Sequence, residues 1–193
     1  MKISSKSVVF LILFSFILPA SSHDLKAAIE SHGRSTKNMA RDEYRNPYET
    51  LSFFEIKSNM KVIELSPGGG WYTEILANYL HEPGILIAAH FDKDSNVEYF
   101  KKSREKFEQK IASGPMYANV EIVNLSSSFA EEESVDAVLT FRNLHNWLGP
   151  QMDSIFANSY KALKPGGIFG VVEHRANKGT SIKNMKKSGY VSE

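Results

Sequence analysis

The 193 residues include no cysteine, which removes disulfides, thiolate nucleophiles and cysteine-ligated zinc at once. An excess of one charge is also missing: 23 Lys and Arg stand against 22 Asp and Glu, for a formal net charge of +1. The lysines are scattered, without the basic stripe or arginine-rich arm that tracks a phosphate backbone. No nucleic-acid partner is expected, and a small molecule or peptide is the better-matched substrate. There is no GxSxG elbow, so a hydrolase of that type is not expected. Nor is any apolar run long enough to cross a bilayer: Val8 to Leu18 covers eleven residues, against the ~20 that a span requires.

That run reads instead as part of an export signal. Lys2 and Lys6 precede it, and Pro19-Ala20-Ser21-Ser22-His23 follows, with Ala20 and Ser22 small enough for cleavage. Residues 1–22 are expected to be a signal peptide. The mature chain, 23–193, is then exported, to the periplasm, with an uncleaved membrane anchor as the alternative. No cysteine follows the run to carry a lipid, and no stable span is expected after cleavage.

What remains has the composition of one globular domain, 42% hydrophobic and 23% charged. From His23 to Met39 a weak pattern (Leu25, Ala28, Ile29) predicts a leading helix and a loose loop. Asn46-Pro47-Tyr48-Glu49 has the make-up of a helix start, with Asn46 as cap, Pro47 in the first turn and Glu49 closing a capping box. Lys61 to Leu65 is a short apolar run, hence a buried strand. It stops at Ser66-Pro67-Gly68-Gly69-Gly70, and Trp71, Ile75, Leu76 and Tyr79 then recur at helical spacing. Strands are expected at 85–91, 120–125, 135–141 and 168–173, and helices at 96–112 and 152–163. A further helix is expected to begin at 182 and run toward 193. Alternation of this kind predicts an α/β fold, a Rossmann-like parallel sheet with helices on both faces.

A nucleotide-type ligand needs close approach to backbone, so the turn after the first strand must lack side chains, and the next helix offers free N–H groups. Gly68, Gly69 and Gly70 supply such a turn, although a glycine turn also serves as a plain connector. Glu64, near the end of the strand, is placed to receive hydrogen bonds from the turn or to meet the ligand. A dinucleotide site is disfavoured: read from Gly68, the third glycine position of GxGxxG is Thr73, and the acidic position ending the second strand is His90.

Glu64-Leu65-Ser66-Pro67-Gly68-Gly69-Gly70 resembles the first motif of class I S-adenosylmethionine-dependent methyltransferases, with Ser66 where the first glycine usually stands. The run Pro67 to Leu76, PGGGWYTEIL, is similar to a family of predicted bacterial methyltransferases, many carrying signal peptides. Ala88 to Asp92, Leu139 to Trp147, Leu163 to Gly167 and Val171 to Ala176 match that family further, so the resemblance covers roughly Arg41 to the C-terminus. It implies S-adenosylmethionine as cofactor, with its methionine end over Gly68 and Gly70 and its ribose at the end of the second strand. There His90 replaces the usual carboxylate, and Asp92, two residues on and on the same side of an extended chain, is the substitute. Ser126 to Ser128 stand where a family carboxylate meets the adenine. Arg142 and Asn143 end the fourth strand over the crevice where ligands of open α/β sheets bind.

Methyl transfer is an in-line displacement that depends mostly on alignment, so a fixed base is optional. His145, Glu173 and His174, all at strand carboxyl ends, are the candidates for one. Trp71 and Trp147 are expected to pack, or to wall the pocket. The same strand ends would allow His90, His145, His174 and Asp92 to converge on a metal, although no metal is expected. Class I methyltransferase sheets usually continue past a fifth strand. Only about eighteen residues follow Arg175, so a truncated chain with an exposed edge strand is expected. Export also separates the domain from a cytoplasmic cofactor, which keeps open a non-catalytic binding module on the same scaffold.

Overall fold

The computed structural model describes residues 24–80 and 82–192; the signal-peptide reading falls on 1–22, outside the described residues. Four short helices come first: α1 (Leu25–Ile29), α2 (Thr36–Met39), α3 (Asp42–Arg45) and α4 (Pro47–Phe53). The alternating part then runs β1 (Lys61–Leu65), α5 (Trp71–Tyr79), β2 (Ile85–His90), α6 (Glu98–Ile111), β3 (Val120–Asn124) and β4 (Val135–Phe141). It continues through α7 (Leu144–Trp147), α8 (Pro150–Ala162) and β5 (Leu163–Val172). The chain closes with β6 (His174–Arg175), α9 (Ile182–Ser188) and β7 (Tyr190–Val191).

The five main strands form one parallel sheet in the order β3-β2-β1-β4-β5. This is the expected Rossmann-like architecture, with the direction of winding reversing between β1 and β4. Side chains alternate across each strand. Val62, Leu86 and Leu139 therefore face a core shared with Leu51, Ile75 and Leu76. Ile63, Leu65, Ile87 and Val138 face a second core under Trp147, Ile155 and Ala162. Burial on both faces explains why these strands read as near-continuous apolar runs. In β5, pairing with β4 jumps from Leu163 opposite Val135 to Ile168 opposite Ala137, so Lys164 to Gly167 form an excursion, as the Leu-Lys-Pro-Gly-Gly turn implies.

Two local expectations are corrected. Asn46 does not cap α4 with its side chain: it sits at φ +43, ending α3 and starting α4 in one left-handed residue. Side-chain capping relies on an extended residue at that point. The last helix does not continue to 193 either. It stops at Ser188 because Gly189 turns left-handed, at φ +75, and Tyr190–Val191 then pairs in parallel with His174–Arg175.

Candidate active site

The turn after β1 is bare on one side and packed on the other. Ser66, Gly68 and Gly70 all have positive φ, at +49, +59 and +76, and Gly70 N–H donates to Pro67 O at 2.9 Å. A Cβ built on Gly68 or Gly69 would meet nothing within 4 Å. One built on Gly70 would press on the Phe107 ring at 3.1 Å and on Lys110 at 3.3 Å. Gly68 and Gly69 thus present backbone to open space and line the cavity described below, whereas Gly70 lets α6 pack against the turn.

Several residues expected on the ligand hold the turn in this structure. Glu64 is buried on the α5 side of the sheet, where the Thr73 hydroxyl donates to its Oε2 at 2.6 Å. Burial pushes its carboxyl up to about 7, against the pull of Thr73 and of the charges on Lys110 and Arg45. His90 is fully buried. Its Nδ1 accepts from Phe91 N–H at 2.8 Å, which leaves Nε2 protonated and donating to Gly68 O at 3.1 Å. Desolvation holds His90 below the usual histidine range. It is therefore a neutral strut beneath the turn. Asp92 lies past the strand and accepts from Ser126 N–H at 3.2 Å, tying the loops after β2 and β3 together outside the cavity. The Asn143 amide lies within 3.3 Å of Leu65 O, Ser66 O, Thr140 Oγ1 and Phe141 O, locking the end of β4 to the start of the turn.

Over the turn lies a cavity of about 710 Å³, lined by Ser66, Gly68, Gly69, Trp71, Asn143 and His145 among others. It sits where the loops after β1 and β4 diverge, the switch point at which open α/β sheets bind ligands. Arg142 lines it from a left-handed backbone, φ +63, with its N–H donated to Val172 O. His145 and Glu173 are 28 residues apart, yet adjacent strand ends bring them together: His145 Nδ1 lies 3.1 Å from Glu173 Oε2. With Nδ1–H donated to the carboxylate, Nε2 is the unprotonated nitrogen, on the side of the ring beside Gly189. His174 contributes only its backbone N–H, donated to Glu173 Oε1 at 3.0 Å. Its ring stacks on Tyr190 and lines a smaller neighbouring cavity of about 260 Å³, so it is not part of the pair. The histidines do not converge on a metal: among the described residues no three ligating side chains form such a group. Trp71 walls the cavity, while Trp147 is core.

The end of the stretch expected to be a loose loop, up to Met39, and the residues just after it supply most of one wall. Ser35, Lys37, Asn38, Arg41 and Arg45 all line the cavity. The segment is fastened to α5, since Trp71 Nε1 donates to Asn38 O at 2.8 Å and Ser35 N–H to Glu74 Oε2 at 3.2 Å. Lys110 reaches over from α6, donating to Gly69 O at 3.1 Å and pairing with Glu74 at 2.5 Å.

A parallel sheet wound in this order, with a bare turn at its switch point, defines the Rossmann-like fold of class I methyltransferases. Residues 63–171 match the model of the methyltransferase domain family, and the chain belongs to that family. It is similar to a SAM-dependent methyltransferase from Aquifex aeolicus, with TM-score 0.59 and 17% identity over 82% of this chain and 77% of that one. It is also similar to the glycopeptide N-methyltransferase MtfA complexed with sinefungin, with TM-score 0.51 and 16% identity over 67% of this chain and 53% of that one. A curated relative, the ribosomal RNA small subunit methyltransferase H of Fusobacterium nucleatum, is 34% identical over 95 residues, which cover 48% of this chain. The match spans only 28% of that relative's length.

Proposed function

We propose that the cavity binds S-adenosylmethionine and that the chain transfers its methyl group to a small-molecule or peptide acceptor held beside Arg142 and His145. The observation that carries this reading is the bare turn: Gly68 and Gly69 offer only backbone to a space of about 710 Å³ at the switch point, a size typical of small-molecule sites. The group fits the residues present. The turn leaves room for an adenosyl moiety, and the Ser66 hydroxyl is buried with no hydrogen-bond partner among the described residues. When bound, the cofactor supplies an electrophilic methyl group on a sulfonium.

The chain's own contribution is alignment and a place for one proton. The glycine turn and Trp71 shape the cavity, and the Asn143 and His90 hydrogen bonds keep the turn from moving. His145 Nε2 is the acceptor for a proton released by a hydroxyl or amine nucleophile. Glu173 is a positioning residue that fixes the ring's tautomer. The reading includes action outside the cytoplasm after cleavage before His23, checked by N-terminal sequencing of the secreted protein. No helix among the described residues is long and apolar enough to cross a membrane.

Calorimetry with S-adenosylmethionine and S-adenosylhomocysteine on the signal-free protein tests the proposal. Micromolar binding is expected, weakened at least about a hundredfold in Gly68→Val and in Gly69→Val. The second substitution adds bulk to the cavity without left-handed strain. A folded protein that takes up neither compound, or variants that bind them as well as the parent, would sink the reading.

A further inference from the structure

The cavity wall is cationic to a degree that the nearly neutral chain does not suggest. Lys37, Arg41, Arg45, Lys110 and Arg142 line it, and no Asp or Glu does so among the described residues. The nearby carboxylates are already committed: Asp42 to Arg34, Glu74 to Lys110 and Arg34, Glu173 to His145. Lys37, Arg41, Arg45 and Arg142 have no carboxylate within ion-pair distance among the described residues. Arg45 stacks over Trp71 at 4.7 Å, and its Nε is buried with no partner among those residues. Burial lowers its pKa, and so do the positive charges of Arg41 and Arg142, while Tyr72 and Asp42 pull in the opposite direction. Arg45 and Arg142 also line the second, smaller cavity, so the two spaces share a charged wall.

Like charges gathered in one concavity repel, and the arrangement is stabilised when a ligand of opposite sign enters. S-adenosylmethionine does not supply that sign. It carries an ammonium, a sulfonium and a single carboxylate, so it satisfies at most one cation and leaves the site more positive. We propose that the methyl acceptor is an anion, a small molecule bearing a carboxylate or phosphate group, gripped by Lys37, Arg41, Arg45 and Arg142. The acceptor role rests on the cofactor reading, but the anion site itself does not. Three of the four cations belong to the segment 35–45, outside residues 63–171 of the matched domain, which suits an element that recognises substrate. Arg142 and Arg45 present planar forks that match either oxyanion in bidentate fashion. Confinement to a cavity, rather than spread over a face, favours a small anion over a nucleic acid.

The test is calorimetry on the full mature protein saturated with S-adenosylhomocysteine, with phenyl phosphate and benzoate compared against phenol and benzamide. The anionic probes are expected to bind at least about tenfold more tightly than the neutral ones. The preference shrinks as salt is raised from low to physiological ionic strength, and it falls below about threefold in Lys37→Gln/Arg41→Gln/Arg142→Asn. These three side chains are exposed, and Asn tolerates the left-handed backbone at 142. Salt dependence on the parent protein provides a reading that needs no variant. Equal binding of charged and neutral probes overturns the proposal, as does a preference that survives both salt and the triple substitution. A single-stranded RNA decamer that displaces phenyl phosphate and binds more tightly would assign the wall to nucleic acid and also overturn it. If S-adenosylhomocysteine does not bind while phenyl phosphate binds with the stated dependence, the anion site stands and the cofactor reading falls.

Discussion

At the scale of single residues, Glu64 and Ser66 are held at a cost that can be measured. The carboxyl of Glu64 is raised to about 7 by burial, above its value in an unfolded chain. The folded state therefore binds this proton more tightly, and stability is fully present below about pH 4.5 and is lost as pH rises through 7. The full change corresponds to about 3 kcal/mol. Buried His90 acts in the opposite direction, losing stability as pH falls through its depressed pKa. Comparing the parent with Glu64→Gln isolates the first term: melting temperatures from pH 5 to 8 should decline less in the variant, which keeps an acceptor for Thr73. An equal decline in both would contradict the assignment. Ser66 combines left-handed strain, about 1–2 kcal/mol, with a buried hydroxyl lacking a partner, about 1–3 kcal/mol. Glycine there removes both and adds only about 0.5–1 kcal/mol of backbone entropy. Ser66→Gly is thus expected to raise stability by about 1 kcal/mol or more in a urea titration of the ligand-free protein.

At the scale of elements, the turn is held between helices as well as supported by strands. Gly70 has φ +76, and a Cβ there meets Phe107 of α6 at 3.1 Å. Gly70→Ala should therefore destabilise by about 1–3 kcal/mol through strain and overpacking together, read from the same urea midpoint. A neutral effect would mean that α6 does not press on the turn. The His145–Glu173 pair depends on β4 and β5 being neighbours, and its signature is a tautomer. Nitrogen NMR should find neutral His145 protonated on Nδ1, and Glu173→Ala should shift it toward the Nε2–H form. An unchanged tautomer would remove Glu173 from its positioning role. Both residues were visible in the sequence as strand-end candidates, as was the bare turn, because strand patterns and turn glycines are local signals. The roles of His90 and Asn143 were not visible, since they depend on which backbone atoms come to lie beside each ring or amide.

At the scale of the whole molecule, the N-terminal layer completes the cavity, and a buried arginine straps it on. Arg34 is 4% exposed and donates to both Asp42 oxygens, at 2.7 and 2.8 Å, and to Ile29 O. It also lies 4.0 Å from Glu74 and over the Trp71 ring. Removing one member of a buried ion pair costs about 3–5 kcal/mol. Arg34→Met should lose stability on that order and loosen α2 and α3, which hydrogen exchange would report as faster exchange across residues 35–45 than across β1 and β4. Uniform exchange would show that the layer does not depend on this strap. The segment looked featureless in sequence because two four-residue helices are too short to show periodicity and its cations are spaced like an ordinary solvated surface.

The chain's own order of residues determined the alternating architecture and the side-chain-free bend. Hydrophobic period, strand composition and glycine placement act over a handful of neighbours and carry through to the folded state. Only tertiary packing decided that the bend faces a cavity walled by Lys37, Arg41, Arg45 and Arg142, and that His145 meets Glu173. Those meetings follow from the strand order around β1 and from a leading segment folded back onto α5, contacts between elements far apart in the chain that no local pattern encodes.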